Sequence, residues 1–144
     1  MTFKIQLLQE NAITPQRAYP SDSGMDLHCV ENFTLLVGEH ALIKTGIAVE
    51  MPVGYELQIR PRSGLALKNG ITVLNSPGTI DSSYRGEIGV ILKNFDNEPH
   101  SFKAGDKIAQ IVISKVELVD FVEVDRLNHS DRGTGGFGST GVSV

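Results

Sequence analysis

The residues best suited to hold an anion stand at the end of the chain. "RGTGGFGST", Arg132 to Thr140, is glycine-rich, so its backbone N–H groups are free to converge on a phosphate. Arg132, Thr134, Ser139 and Thr140 add a guanidinium and hydroxyls, and Phe137 offers a flat apolar face. Gly133, Gly135 and Gly138 satisfy G-x-G-x-x-G, but only six residues follow Gly138, so no helix can take a pyrophosphate behind the loop. A Walker-type loop is excluded as well, because the chain contains no Gly-Lys pair. Taken alone, the same composition also describes a solvated Gly/Ser tail.

Four other segments carry polar groups in unusual settings. "PRSGLA", Pro61 to Ala66, follows the alternating run "YELQIR" and offers the Arg62 guanidinium, the Ser63 hydroxyl and the Gly64 N–H, a set that suits a phosphate. Read as structure alone, it is an ordinary turn. "SDSGMDLH" sets Asp26 among alternating apolar residues, and "AGDKIAQIV" puts Gln110 on one strand face with Ile108 and Val112, where a buried amide needs partners. "NSPGTIDSSYRGE", Asn75 to Glu87, lies between the apolar runs "ITVL" and "EIGVIL". The flanking runs predict a hairpin around the "SPG" turn, which accounts for Pro77 and Gly78. It does not account for Asp81 and Tyr84, which interrupt a run otherwise suited to a strand.

These segments are separated by short β-branched runs: "FKIQLL", "MDLHCV", "FTLLV", "ALIKTGIAVE", "YELQIR", "ITVL", "EIGVILKN", "KIAQIVISKV" and "DFVEV". Pro, Gly, Asn and Asp punctuate them, and only "GLALK" suggests a turn of helix. The pattern predicts an all-β, single-domain, jelly-roll-like β-barrel over residues 1–125. Apolar content then falls away, and 126–144 reads as a flexible Gly-rich C-terminal arm. A chain of 144 residues is long enough for one such core. A net charge of −4 without a basic block argues against duplex nucleic acid as a partner. No apolar run reaches membrane-spanning length. The single cysteine, Cys29, and a start without an apolar leader core predict a cytoplasmic, reducing setting. Four scattered histidines make no metal motif.

In this order and spacing the five segments resemble the five motifs of the homotrimeric dUTP diphosphatases (dUTPases), which span nearly the whole chain. The resemblance implies hydrolysis of dUTP to dUMP and pyrophosphate by Mg²⁺-assisted attack of water on the α-phosphorus, supplying the dTMP precursor and limiting uracil in DNA. It implies Asp81 as the base, with Asp26 near the water shell of Mg²⁺ in an outer-sphere role. Arg62, Ser63, Gly64 and Gln110 match positions on the α- and β-phosphates, and Arg132, Ser139 and Thr140 match the γ-phosphate clamp. Asn75, Thr79 and Ile80 fall where uracil is read, Tyr84 where the deoxyribose packs, and Phe137 where a ring stacks on the base. The tail would then be a lid supplied by a neighbouring subunit of a homotrimer. A dCTP deaminase is similar in fold, but "NSPGTID" has the uracil pattern and no spare acidic residue. Ser23, Met25 and Gly89 depart from the usual motif residues, and Val142, Ser143 and Val144 have no assigned role.

Overall fold

The computed structural model describes residues 2–142. Ser143, Val144 and with them the last residues of the expected arm lie outside the described part. Eleven strands and one short helix follow one another: β1 Lys4–Leu7, β2 Gly24–His28, β3 Phe33–Leu35, β4 His40–Lys44, β5 Ile47–Glu50, β6 Tyr55–Arg60, α1 Ser63–Asn69, β7 Ile71–Val73, β8 Gly78–Ile80, β9 Gly89–Asn94, β10 His100–Phe102 and β11 Lys107–Lys115. The architecture is all-β and jelly-roll-like, as the spacing of short runs predicts.

Four antiparallel sheets share one core: β2-β11-β6-β8, β4-β9-β7, β1-β5 and β10-β3. Strand side chains and Ile88, just before β9, fill the core, where Leu27, Leu35, Ile47, Ile71, Ile88, Val90, Leu92 and Ile108 are all at most 1% exposed, while β1 stays exposed along its length. Each such side chain contributes about 1.5–3 kcal/mol by leaving water. Phe33 and Phe102 stack at 4.7 Å between ring centroids and close one end of the core.

Three local features depart from the sequence pattern. The run "ALIKTGIAVE" is two strands, because Gly46 turns the chain at φ 67° between β4 and β5. "GLALK" sits within a seven-residue helix, ended by Gly70 at φ 58°, whose N–H caps the Leu65 carbonyl. "DFVEV" is not a strand: β11 ends at Lys115, and among the described residues none follows. A strand needs a ladder partner, and the last backbone tie to the barrel is Val116 N–H to Gly54 O at 3.0 Å. Beyond it Phe121 is 98% exposed.

Candidate active site

The expected hairpin forms, with an excursion at its tip. β7 pairs with β9, setting Val73 against Leu92, while between them β8 crosses to the other sheet and sets Gly78 against Ile59 of β6. With both legs in one sheet and the intervening β8 in the other, the hairpin opens into a cleft of about 420 Å³. Asn75, Thr79, Ile80, Asp81 and Tyr84 line it together, with Gly78, Leu42, Lys44, Glu87 and Gly89. A cis Ser76–Pro77 peptide lies in the turn. Gly78 stands close against Ile59, where an added Cβ would come 3.3 Å from Ile59 Cβ, and the Asn75 amide lies beside the same spot. Asp81 begins a turn closed by Tyr84 N–H to Asp81 O at 3.1 Å, and Arg85 Nη1 donates to the Ser82 and Tyr84 carbonyls.

A second cluster gathers around Asp26. Arg62 Nε lies 3.1 Å from Oδ1 and Lys107 Nζ 2.6 Å from Oδ2. Burial pushes the Asp26 carboxyl up, but the Lys107 hydrogen bond and the Arg62 and Lys107 charges outweigh it and hold the group below the ordinary carboxylate value. Beside it, burial drives His28 down, and its Nδ1 is buried without a hydrogen-bond partner among the described residues. Arg62 Nη1 also donates to the Lys107 carbonyl, so two of its three nitrogens are engaged and the planar fork is held in one orientation. Ser63 and Gly64 form the first turn of α1, whose N–H groups have no acceptor within the helix.

Gln110 corrects an expectation. A register shift between Lys107 and Ala109 breaks the alternation of β11, so Ile108, Ala109 and Ile111 turn inward while Gln110 is half-buried with Val112. Its amide still finds a partner, donating to Pro61 O at 2.9 Å. Gln110 stands opposite Asp26 on one side and Arg60 on the other. The amide rests on Gly24, where an added Cβ would come 2.0 Å from Gln110 Oε1. Gly24 and Lys107 escape a reading of the sequence because only the cross-strand register brings them to Gln110 and Asp26.

The third group stays apart. Arg132, Phe137, Ser139 and Thr140 are exposed, and the Arg132 guanidinium turns back on Gly135 O at 2.8 Å. The hairpin cleft is lined neither by these residues nor by Asp26, Arg62, Ser63, Gly64 or Gln110. One chain therefore carries the predicted residues in three places: the hairpin cleft, a cluster where Asp26 and Gln110 line a hollow of about 290 Å³ and Arg62 another of about 450 Å³, and the exposed tail.

The dUTPase family model matches residues 10–141. The deoxyuridine 5'-triphosphate nucleotidohydrolase of Clostridium tetani is 56% identical over 140 residues, 97% of both chains. That of a Picosynechococcus species is 55% identical over 142 residues, 99% of this chain and all of its own. The chain belongs to the dUTPase family. Among solved structures, a dUTPase of Staphylococcus bacteriophage 80alpha with dUpNHpp superposes at a TM-score of 0.89 with 30% identity, covering 98% of this chain and 99% of that one. A variant dUTPase of phage phi11 of S. aureus, described with a structural Mg(II) ion, gives 0.83 with 28% identity over 90% of this chain and 100% of its own.

Against this dUTPase background the carboxylates divide. Among the described residues no three of His, Cys, Asp and Glu are grouped to hold a metal ion. Asp26 keeps lone pairs beyond the two that meet Arg62 and Lys107, and can accept from water on a cation that arrives with phosphate oxygens. That donor set fits Mg²⁺. Among the described residues no cation bridges Asp81, which is exposed at the mouth of the cleft. No helix of the described residues is long and apolar enough to cross a membrane.

Proposed function

We propose that the hairpin cleft is the uracil and deoxyribose half of a dUTPase site that hydrolyses dUTP to dUMP and pyrophosphate, and that Asp81 is its base. The observation that carries this is the convergence of Asn75, Thr79, Ile80, Asp81 and Tyr84 on one cleft. Fixed backbone groups beside Asn75 read the uracil edge, and cytosine, with its donor pattern reversed, would leave them unpaired. The Asp81 carboxylate orients water and takes its proton as the water attacks the α-phosphorus, a role worth typically 10²–10⁴ in rate. Tyr84 leaves no room for a 2′-hydroxyl.

Arg62, Ser63, Gly64 and Gln110 take the α- and β-phosphates. Arg62 suits this because Asp26 and the Lys107 carbonyl fix its plane and leave a nitrogen for a phosphate oxygen. Mg²⁺, when bound, supplies charge neutralisation on the phosphate oxygens, and Asp26 would hold its water shell from outside. Arg132, Ser139 and Thr140 clamp the γ-phosphate, and Phe137 stacks on uracil. We divide the chain accordingly into a barrel, 1–125, and an arm, 126–144. The separation of the three groups within one chain supports a homotrimer in which each site draws on neighbouring copies. With a net charge of −4 and no basic block in the sequence, and with a start that carries no apolar leader core, we place the enzyme in the cytoplasm, acting on free dUTP rather than on nucleic acid or membrane.

Pyrophosphate release from dUTP, dCTP, dTTP and UTP, each with Mg²⁺ and with EDTA, tests the reading. Release from dUTP alone, lost with EDTA, is expected. Deamination of dCTP, or tight dUTP binding without turnover, would overturn it.

A further inference from the structure

We propose that Gly86 is a specificity-determining residue: by presenting no side chain to the Tyr84 ring, it sets the wall that rejects a 2′-hydroxyl. The proposal rests on the reading of the hairpin cleft as a deoxyribose site. An added Cβ at residue 86 would lie 2.3 Å from Tyr84 Oη, 2.5 Å from Cζ and 3.0 Å from Cε2. Cζ and Cε2 belong to the ring itself, so the whole ring would have to swing away. The backbone does not itself demand glycine, because Gly86 is not among the residues with positive φ. The ring is what excludes a side chain.

The ring lies down on Gly86 because its far end is tied. Tyr84 Oη donates to the Glu87 carbonyl at 3.0 Å. That carbonyl belongs to a segment fixed in the barrel. Glu87 Oε1 accepts from Gly46 N–H at 2.8 Å, and the next residue, Ile88, is fully buried with its N–H on Ile47 O at 2.8 Å. At the near end, the turn is closed by Tyr84 N–H to Asp81 O and clamped by Arg85. Tyr84 is 44% exposed, yet it is held at both ends. Its hydroxyl proton is already donated within the chain. Rejection of a ribose therefore rests on the position of a rigid surface, and Gly86 fixes that position.

The test compares kcat and KM for dUTP and UTP in the full-length wild type, Gly86→Ala, Tyr84→Phe, Tyr84→Ala and the double variant Tyr84→Ala/Gly86→Ala, with thermal melting to establish folding. Gly86→Ala should lower the preference for dUTP over UTP roughly tenfold or more. Tyr84→Phe, which keeps the ring but loses the tie, should lower it about threefold to fivefold. In the Tyr84→Ala background, Gly86→Ala should add nothing further. A folded Gly86→Ala enzyme with wild-type preference would overturn the proposal, as would a full additional loss in the Tyr84→Ala background. Should Gly86→Ala fail to fold, an unchanged preference in Tyr84→Phe overturns it and a lowered one supports it. A wild type that does not hydrolyse dUTP, or takes UTP equally, would instead sink the deoxyribose reading itself.

Discussion

Residues 71–94 and residues 129–142 both carry glycine, serine and threonine beside an aromatic ring and an arginine, yet they behave as opposites. In the hairpin the small residues make room for a named neighbour: Gly78 for Ile59, Gly86 for the Tyr84 ring. In the tail a Cβ at Gly136 or Gly138 would meet nothing within 4 Å, and Phe137 stands fully in solvent. In the first case glycine is a packing residue, and the surface around it is preorganised. In the second it meets no neighbour, and the tail's only backbone ties among the described residues are local turns such as Gly135 N–H to Arg132 O at 3.1 Å and Gly141 N–H to Gly138 O at 2.9 Å.

The sharpest way to break this contrast is to remove chemistry from the rigid half without touching its shape. Asp81→Asn should lower turnover by two to four orders of magnitude while leaving affinity for a non-hydrolysable dUTP analogue within a few-fold, measured by pyrophosphate release and calorimetry. Near-normal release would take the base away from Asp81. Truncation after Asn128 addresses the tail. Turnover should fall about a hundredfold, with the melting temperature unchanged, since none of the described residues removed is buried. Unaltered kinetics would end the lid reading.

A smaller effect is expected where the phosphate cluster relies on close approach. Gly24→Ala places a Cβ 2.0 Å from Gln110 Oε1, so kcat/KM should drop about tenfold, with no additional loss when Gln110→Ala is already present. Additive losses would show that Gly24 acts by another route. The smallest concerns acid stability. The folded Asp26 carboxyl sits below its unfolded value of about 3.9, so its contribution is complete above that pH and is lost as pH falls through the folded value. Lys107→Met raises the folded value and should shift the acid-unfolding midpoint upward by a few tenths of a pH unit. A downward shift would contradict the ion pair.

The barrel is legible in the sequence because alternation and β-branched runs report burial directly, as in "YELQIR" and "EIGVILKN". "DFVEV" has the same composition and is not a strand, because composition cannot say whether a ladder partner lies within reach. Gln110 changes face through a single register shift, and no local signal in "KIAQIV" announces it. In the candidate site, Asp81 and Tyr84 are visible as residues a hairpin does not need. Gly86, Gly24 and Lys107 are not, because a missing side chain or a cross-strand ion pair acquires meaning only through its neighbour.

The last tie of the barrel, Val116 N–H on Gly54 O, also fixes a tether. Sixteen peptide steps lie between Val116 and Arg132, a reach of about 55 Å when extended. On our reading of residues 126–144 as an arm, a motif on such a leash would search a small volume, at an effective concentration on the order of millimolar however dilute the enzyme. A detached peptide of residues 129–142 would have to be supplied near that concentration to restore a truncated enzyme. The length of the leash, and not only the motif at its end, then becomes a determinant of rate.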